Sequence, residues 1–280
     1  DKNKMVDDPR NFLYKEYCKF LERYTPKLFV FENVIGLKTA DKGSYFAQMQ
    51  EDFRRLGYHI DYKIQKSEDF GVLQKRRRII LIGWQKGLDF SYPDFKKSLN
   101  NHTVSEILSD LKTLKPGEAE NVTKYTGISS DYLKKYDLRN GVEFVTQHIA
   151  RPHNQRDLSI YKIAIDKWIT KGERLKYPDL PEVLKTHKNE SSFVDRFKVV
   201  DLNGLSHTMV AHIAKDGHHY IYPDKKQIRS LSVREAARIQ SFPDDFIFEG
   251  GRTSAFKQIG NAVPPLMAEQ IAFEIMKLCN

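Results

Sequence analysis

The chain has 280 residues, with 46 Lys and Arg against 37 Asp and Glu, a formal net charge of +9 and a pI of about 9.3. A content of 40% hydrophobic and 12% aromatic residues supplies cores for one large domain or two modest ones and excludes an intrinsically disordered chain. Two cysteines, Cys18 and Cys279, exclude a disulfide scaffold and imply a reducing, intracellular setting.

The basic excess is spread among Tyr, Phe and His instead of forming one solvated tail, which favours a polyanionic partner. No apolar run approaches a membrane span, and residues 1–8 are polar, unlike a signal peptide. A soluble, cytoplasmic protein is expected. The chain opens at Asp1 without Met in a loop-like stretch, so a preceding segment is also expected.

In chain order, Leu13, Tyr17, Phe20, Leu21 and Tyr24 recur at helical spacing until Thr25-Pro26 stops the pattern ahead of an apolar strand, Leu28-Phe29-Val30-Phe31. Phe46, Met49, Phe53 and Leu56 mark a second helix that ends at Gly57. Residues 59–64 alternate as a strand, and Ile79 to Gly83 form a buried one. These elements predict half of an α/β sheet that needs a partner layer. No Gly-x-Gly-x-x-Gly turn accompanies it.

From about Gln85 to Arg229 the periodicity fades, which predicts a second, looser domain. Its clearest predicted element is a hairpin of residues 207–213 and 219–222, closed by Lys215-Asp216-Gly217. Ser232 and Glu235 form a capping-box pattern that starts a helix running through Gln240. After Gly260-Asn261-Ala262-Val263-Pro264-Pro265, residues 266–278 predict an amphipathic helix that could cover the sheet.

Taken together in order, Asp8-Pro9-Arg10-Asn11-Phe12-Leu13, Glu32-Asn33-Val34, Gln74-Lys75-Arg76-Arg77-Arg78, Arg234-Glu235-Ala236-Ala237-Arg238-Ile239-Gln240-Ser241-Phe242-Pro243 and Gly260-Asn261-Ala262-Val263-Pro264-Pro265 resemble the segments of cytosine-5 DNA methyltransferases. The resemblance implies part of a Rossmann-like methyltransferase sheet, residues 1–85 and 255–280, and a smaller mixed target-recognition domain, residues 86–254. It implies methyl transfer from S-adenosylmethionine, leaving S-adenosylhomocysteine, to C5 of a flipped cytosine in double-stranded DNA, within a bacterial or phage restriction-modification system.

By the same resemblance, Glu32, Asn33, Arg76 and Arg78 are the catalytic candidates. Glu32 donates to cytosine N3, Arg78 bonds O2, Arg76 fixes the cysteine loop or the sugar-phosphate, and Asn33 supports the turn. Asp8, Asn261, Ala262 and Val263 are assigned to the cofactor. Gln74, Lys75, Arg151, Asn154, Arg156 and His207 are candidate DNA contacts, the last four in loops that combine base-reading side chains with turn formers. The Arg234/Glu235/Arg238 block is expected to be an ion-paired structural helix.

The family's Pro-Cys nucleophile and Gly-rich cofactor loop have no counterpart in this sequence. Cys18, mid-helix and without a preceding Pro, is expected to be structural. The missing half is therefore expected upstream or on a partner chain, and a noncatalytic DNA-binding or regulatory subunit is the alternative reading. Two distant cysteines and the lack of a clustered acidic pair give no metal site.

Overall fold

A computed structural model describes residues 12–98, 101–186 and 191–279. Asp8 and most of its segment lie outside the described residues. The fold is mixed α/β, and the described residues divide into two compact units: 12–69, 77–97 and 269–279 form one, and 70–76, 98, 101–186 and 191–268 the other. Residues 86–97 cluster with the sheet, and residues 255–268 with the larger unit.

In the sheet unit, α1 (Leu13–Tyr24) leads to β1 (Leu28–Asn33), then α2 (Ser44–Arg55) and β2 (Tyr58–Lys66). Thr25 takes a φ of 39° and donates its N–H to the Leu21 carbonyl, which closes α1. Gly57, with a φ of 93°, ends α2 in the left-handed conformation that costs glycine least.

Past β3 (Gln74–Lys75) of the larger unit, β4 (Arg77–Gln85) lies between β1 and β2 and runs antiparallel to both. Ile79, Ile80, Leu81 and Ile82 are at most 1% exposed, so this central strand is apolar on both faces. Tyr17, Phe29, Phe31, Phe53 and Tyr58 pack edge-on or tilted beside it. Gly83 makes room for Phe29: a Cβ there would stand 2.2 Å from the ring.

The larger unit contains α3 (Val104–Leu108), β5 (Ala119–Lys124), α4 (Asp131–Lys135), β6 (Phe144–Ile149), α5 (Gln155–Lys171), β7 (Ser206–His207), α6 (Val233–Ile239) and α7 (Arg252–Asn261); α8 (Pro265–Cys279) begins here and continues into residues assigned to the sheet unit. β5 pairs antiparallel with β6, and β3 pairs parallel with β7. The capping box on α6 forms as expected, with Ser232 and Glu235 each bonding the other's backbone.

The expected hairpin does not form. Gly217 does adopt a positive φ of 84°, but residues 211–214 are a 3-10 turn and Ser206–His207 pair with Gln74–Lys75 instead. The Tyr220 hydroxyl replaces the ladder, donating to Thr208 O at 2.9 Å and accepting from Val210 N at 3.1 Å. Ile221 bridges Val199 and Ser230. The loss of cross-strand partners to two other segments is what removes the hairpin.

The Arg234/Glu235/Arg238 block is buried, and its pairing is with residues outside the block. Arg229 grips Glu235 through two bonds of 2.7 Å, and Arg238 lies between the carboxylates of Asp110 and Asp244. Arg234 spends its donors on the Thr146 side chain and carbonyl and on the Pro243 and Phe246 carbonyls. Buried guanidiniums are tolerable because nearly every donor has an acceptor.

Candidate active site

Glu32 is the penultimate residue of β1 and stands opposite Ile80 of β4. Side chains opposite one another share a face, and so does the residue two further along, so Arg78 is the diagonal neighbour of Glu32. Arg78 Nε lies 2.7 Å from Glu32 Oε1, with the guanidinium side chain 10% exposed and the carboxylate 25% exposed. The two are an ion pair, but the N–H is not aimed along that line, and Oε1 is a buried oxygen without an aligned donor.

A second fixed point comes from Arg78 Nη1, which donates to the Arg77 carbonyl at 2.8 Å. Burial draws the Arg78 guanidinium below its ordinary pKa, and the Glu32 carboxylate opposes that pull. Asn33 accepts the Val34 N–H at 2.8 Å through its own side chain and so shapes the turn leaving β1. Arg77, between the inward-facing Arg76 and Arg78, is exposed.

In the larger unit, Gln74, Arg76 and Ala262 converge. Arg76, 1% exposed, donates to the carbonyls of Met209, Gly260 at 3.3 Å and Ala262 at 2.9 Å. Gln74, fully buried, accepts from Met209 N at 2.8 Å and donates to Gln240. Gln74 is therefore committed to the interior of this unit. Lys75 leaves its side chain exposed, while its carbonyl accepts from Thr208 Oγ1 at 2.6 Å. His207 stacks on Tyr220 with ring centroids 5.0 Å apart and donates to the His219 carbonyl; burial holds its pKa down at about 4.

The other loop candidates form a separate group in the same unit. Arg151 donates to the carbonyls of Ile213, Ala214 and Lys215. Asn154 caps α5, accepting from Asp157 N at 2.8 Å, and Arg156 is exposed with Asp157 Oδ1 at 3.4 Å.

Gln240 was not singled out from the sequence, because it ends a block whose charged residues looked structural. Its signal is chemical: an uncharged amide at a helix end, fully buried, has to spend its donors and acceptor on neighbours. Gly260 was assigned no role either. A Cβ there would stand 2.2 Å from Ala211 N and 2.3 Å from Val210 C, so only glycine lets these backbones meet.

For a nucleoside-type cofactor, Asn261 offers an exposed side-chain amide at the end of α7 that makes no hydrogen bond among the described residues. Val263 beside it is half-buried, and the Ala262 carbonyl is already taken by Arg76 and Gln240. Polar and apolar groups side by side in a braced loop fit such a ligand's amino-acid end. Among the described residues, no group of His, Cys, Asp and Glu is placed to hold a metal ion, and no helix is long and apolar enough to cross a membrane.

Residues 1–277 match the family of C-5 cytosine-specific DNA methylases. The chain belongs to that family. It is 44% identical to the Type II methyltransferase M.Bpa9945I of Bacillus paralicheniformis, with all of this chain and 66% of that protein covered. Type II methyltransferase M1.HphI of Haemophilus parahaemolyticus is 33% identical over 98% of this chain and 63% of its own length. The chain therefore spans about two thirds of the length of these curated relatives.

Among solved structures, a prophage-encoded E. coli protein assigned as a DNA modification methyltransferase superposes with a TM-score of 0.69 at 23% identity, covering 98% of this chain and 76% of the other. The Entamoeba histolytica methyltransferase EhMeth gives 0.56 at 14% identity, covering 100% and 74%. These likenesses support the mixed α/β methyltransferase fold.

Proposed function

We propose that this C-5 cytosine-specific DNA methylase chain works in a Type II modification enzyme that methylates C5 of a cytosine flipped out of a specific duplex sequence. The observation that carries the reading is the Glu32–Arg78 pair: a carboxyl and a guanidinium on one sheet face, with the carboxyl oxygen Oε1 lacking an aligned donor. A cytosine edge supplies what that oxygen lacks. The amine on C4 and a protonated N3 are adjacent donors, and the carbonyl at C2 is an acceptor for Arg78.

Cytosine C5 is a poor nucleophile until a thiolate adds at C6. Protonation at N3 lets the ring accept that electron pair, and Glu32 is the group that holds the proton there. Arg78 donates to O2, where negative charge grows as the thiolate adds, and its rigid anchoring means little reorganisation is needed. S-adenosylmethionine supplies the methyl group when bound, next to Asn261 and Val263 in this reading. After transfer, C5 loses its proton and the thiolate leaves C6, restoring the aromatic ring.

The thiolate itself is not Cys18. That residue is half-buried in α1, and burial pushes its thiol up to about 11, so it stays protonated at neutral pH. In the proposed enzyme the nucleophile and the cofactor's glycine loop come from outside these 280 residues. The larger unit, carrying residues 207–210 and 151–156, contacts the duplex in this reading.

A duplex containing 5-fluorocytosine tests the reading, because fluorine at C5 cannot leave as a proton and the adduct persists. The full-length protein with S-adenosylmethionine is expected to form a denaturation-resistant complex with such DNA. Failure to trap any duplex drawn from a random-sequence pool would contradict the proposal.

A further inference from the structure

We propose that Gln240 is a positioning residue that couples duplex binding at residues 207–210 to cofactor binding at residues 261–263. The inference rests on the functional reading above and adds a role for a residue that touches neither ligand. Gln240 donates through Nε2 to Ile259 O at 3.1 Å and Ala262 O at 2.8 Å, and its Oε1 accepts from Gln74. Gln74 in turn accepts from Met209 N at 2.8 Å.

The bonds run in one direction, from the Met209 N–H through two side-chain amides to the Ala262 carbonyl, so each polarises the next. Arg76 closes a parallel path, binding the Met209 and Ala262 carbonyls with one guanidinium. Both amides are fully buried and Arg76 is 1% exposed, so water cannot substitute when a bond is broken. Gly260 presses directly on the 210–211 backbone, leaving no slack between the loops.

A ligand that shifts or holds residues 261–263 therefore shifts or holds residues 207–210 through these bonds, so the two sites bias one shared arrangement. By linkage the effect is reciprocal: the duplex tightens cofactor binding by the factor with which cofactor tightens duplex binding. An amide is suited to the post, since it must donate at one end and accept at the other.

The test measures binding of sheared genomic duplex to the full-length protein with and without saturating S-adenosylhomocysteine, and the reverse titration. The wild type is expected to show one factor in both directions, about five-fold or more. Gln240→Met and Gln74→Met should each bring it close to one, and the double variant should lose no more coupling than either single one. A Gln240→Met protein that keeps the wild-type factor overturns the proposal.

A second readout needs no variant. Hydrogen exchange at the Met209 amide is expected to slow when S-adenosylhomocysteine alone is added, and an unchanged rate overturns the coupling. Wild-type protein that binds both ligands without coupling defeats this proposal alone, whereas protein that binds neither defeats the methyltransferase reading and the coupling with it.

Discussion

Arg78 is the diagonal cross-strand neighbour of Glu32, with its Nε 2.7 Å from the carboxylate. The relationship follows from register: Glu32 faces Ile80, and Arg78 is two residues away on the same face of β4. A slip of one residue would send one partner to the opposite face. The buried Ile79–Ile82 stretch fixes the register and thereby the pair.

Replacing Glu32 by Gln keeps the shape and hydrogen bonding but removes the acid. Turnover is expected to fall by about 10²–10⁴-fold, the usual worth of a positioned acid or base. Duplex affinity should stay within a few-fold, as a filter-binding titration would show. Undiminished turnover would take Glu32 out of the mechanism.

Arg78→Ala removes the proposed donor to O2 and the counter-ion of Glu32. Losing one such donor costs on the order of 10²–10³ in rate. The rate of covalent trapping of the 5-fluorocytosine duplex should drop accordingly, and unchanged trapping would argue that Arg78 serves only the sheet.

Arg238 balances two fully buried carboxylates, Asp110 and Asp244. Arg238→Ala leaves Asp110 with Arg139 alone and Asp244 with the Tyr125 hydroxyl and the more distant Arg234, and is expected to cost about 3 kcal/mol of stability, the low end of what breaking a buried pair costs. Urea denaturation measures this directly. A loss under about 1 kcal/mol would mean that water or protonation relieves the site cheaply.

Acid should destabilise the fold between pH 6.5 and about 4. His153 and His207 are both held down at about 4 from an ordinary 6.5, with burial the main cause. Between those values the unfolded chain binds protons that the native chain does not, so the contribution is full above pH 6.5 and lost as pH falls towards 4. Denaturation midpoints at several pH values should show the decline, and His207→Gln should reduce its slope. A variant with the wild-type slope would exclude His207 as a contributor.

The sheet unit was legible in the sequence because its signals are local. Phe46, Met49 and Phe53 sit at helical spacing, Gly57 supplies the cap, and Ile79 to Ile82 form a run that only a central strand buries. Motif order marked Glu32 and Arg78 as separate catalytic candidates, but their pairing depends on strand register, which periodicity alone does not give.

The larger unit was less legible because the polar contacts buried beside its apolar core join distant residues. Gln74 meets Gln240 across 166 positions, and Arg238 meets Asp110 across 128. The Asp216-Gly217 signal is a real turn with the wrong surroundings: Gln74–Lys75 takes the strand partner that a hairpin would need. Local turn chemistry fixes a bend and does not choose which strands pair.

The most direct measurement is the identity of the methylated base. DNA treated with the full-length protein and labelled S-adenosylmethionine is digested to nucleosides and analysed by mass spectrometry, with Glu32→Gln run alongside. Label in 5-methylcytosine that nearly vanishes in the variant is the predicted result. Label on an exocyclic amine, or no transfer under conditions where the protein binds DNA, would contradict the account.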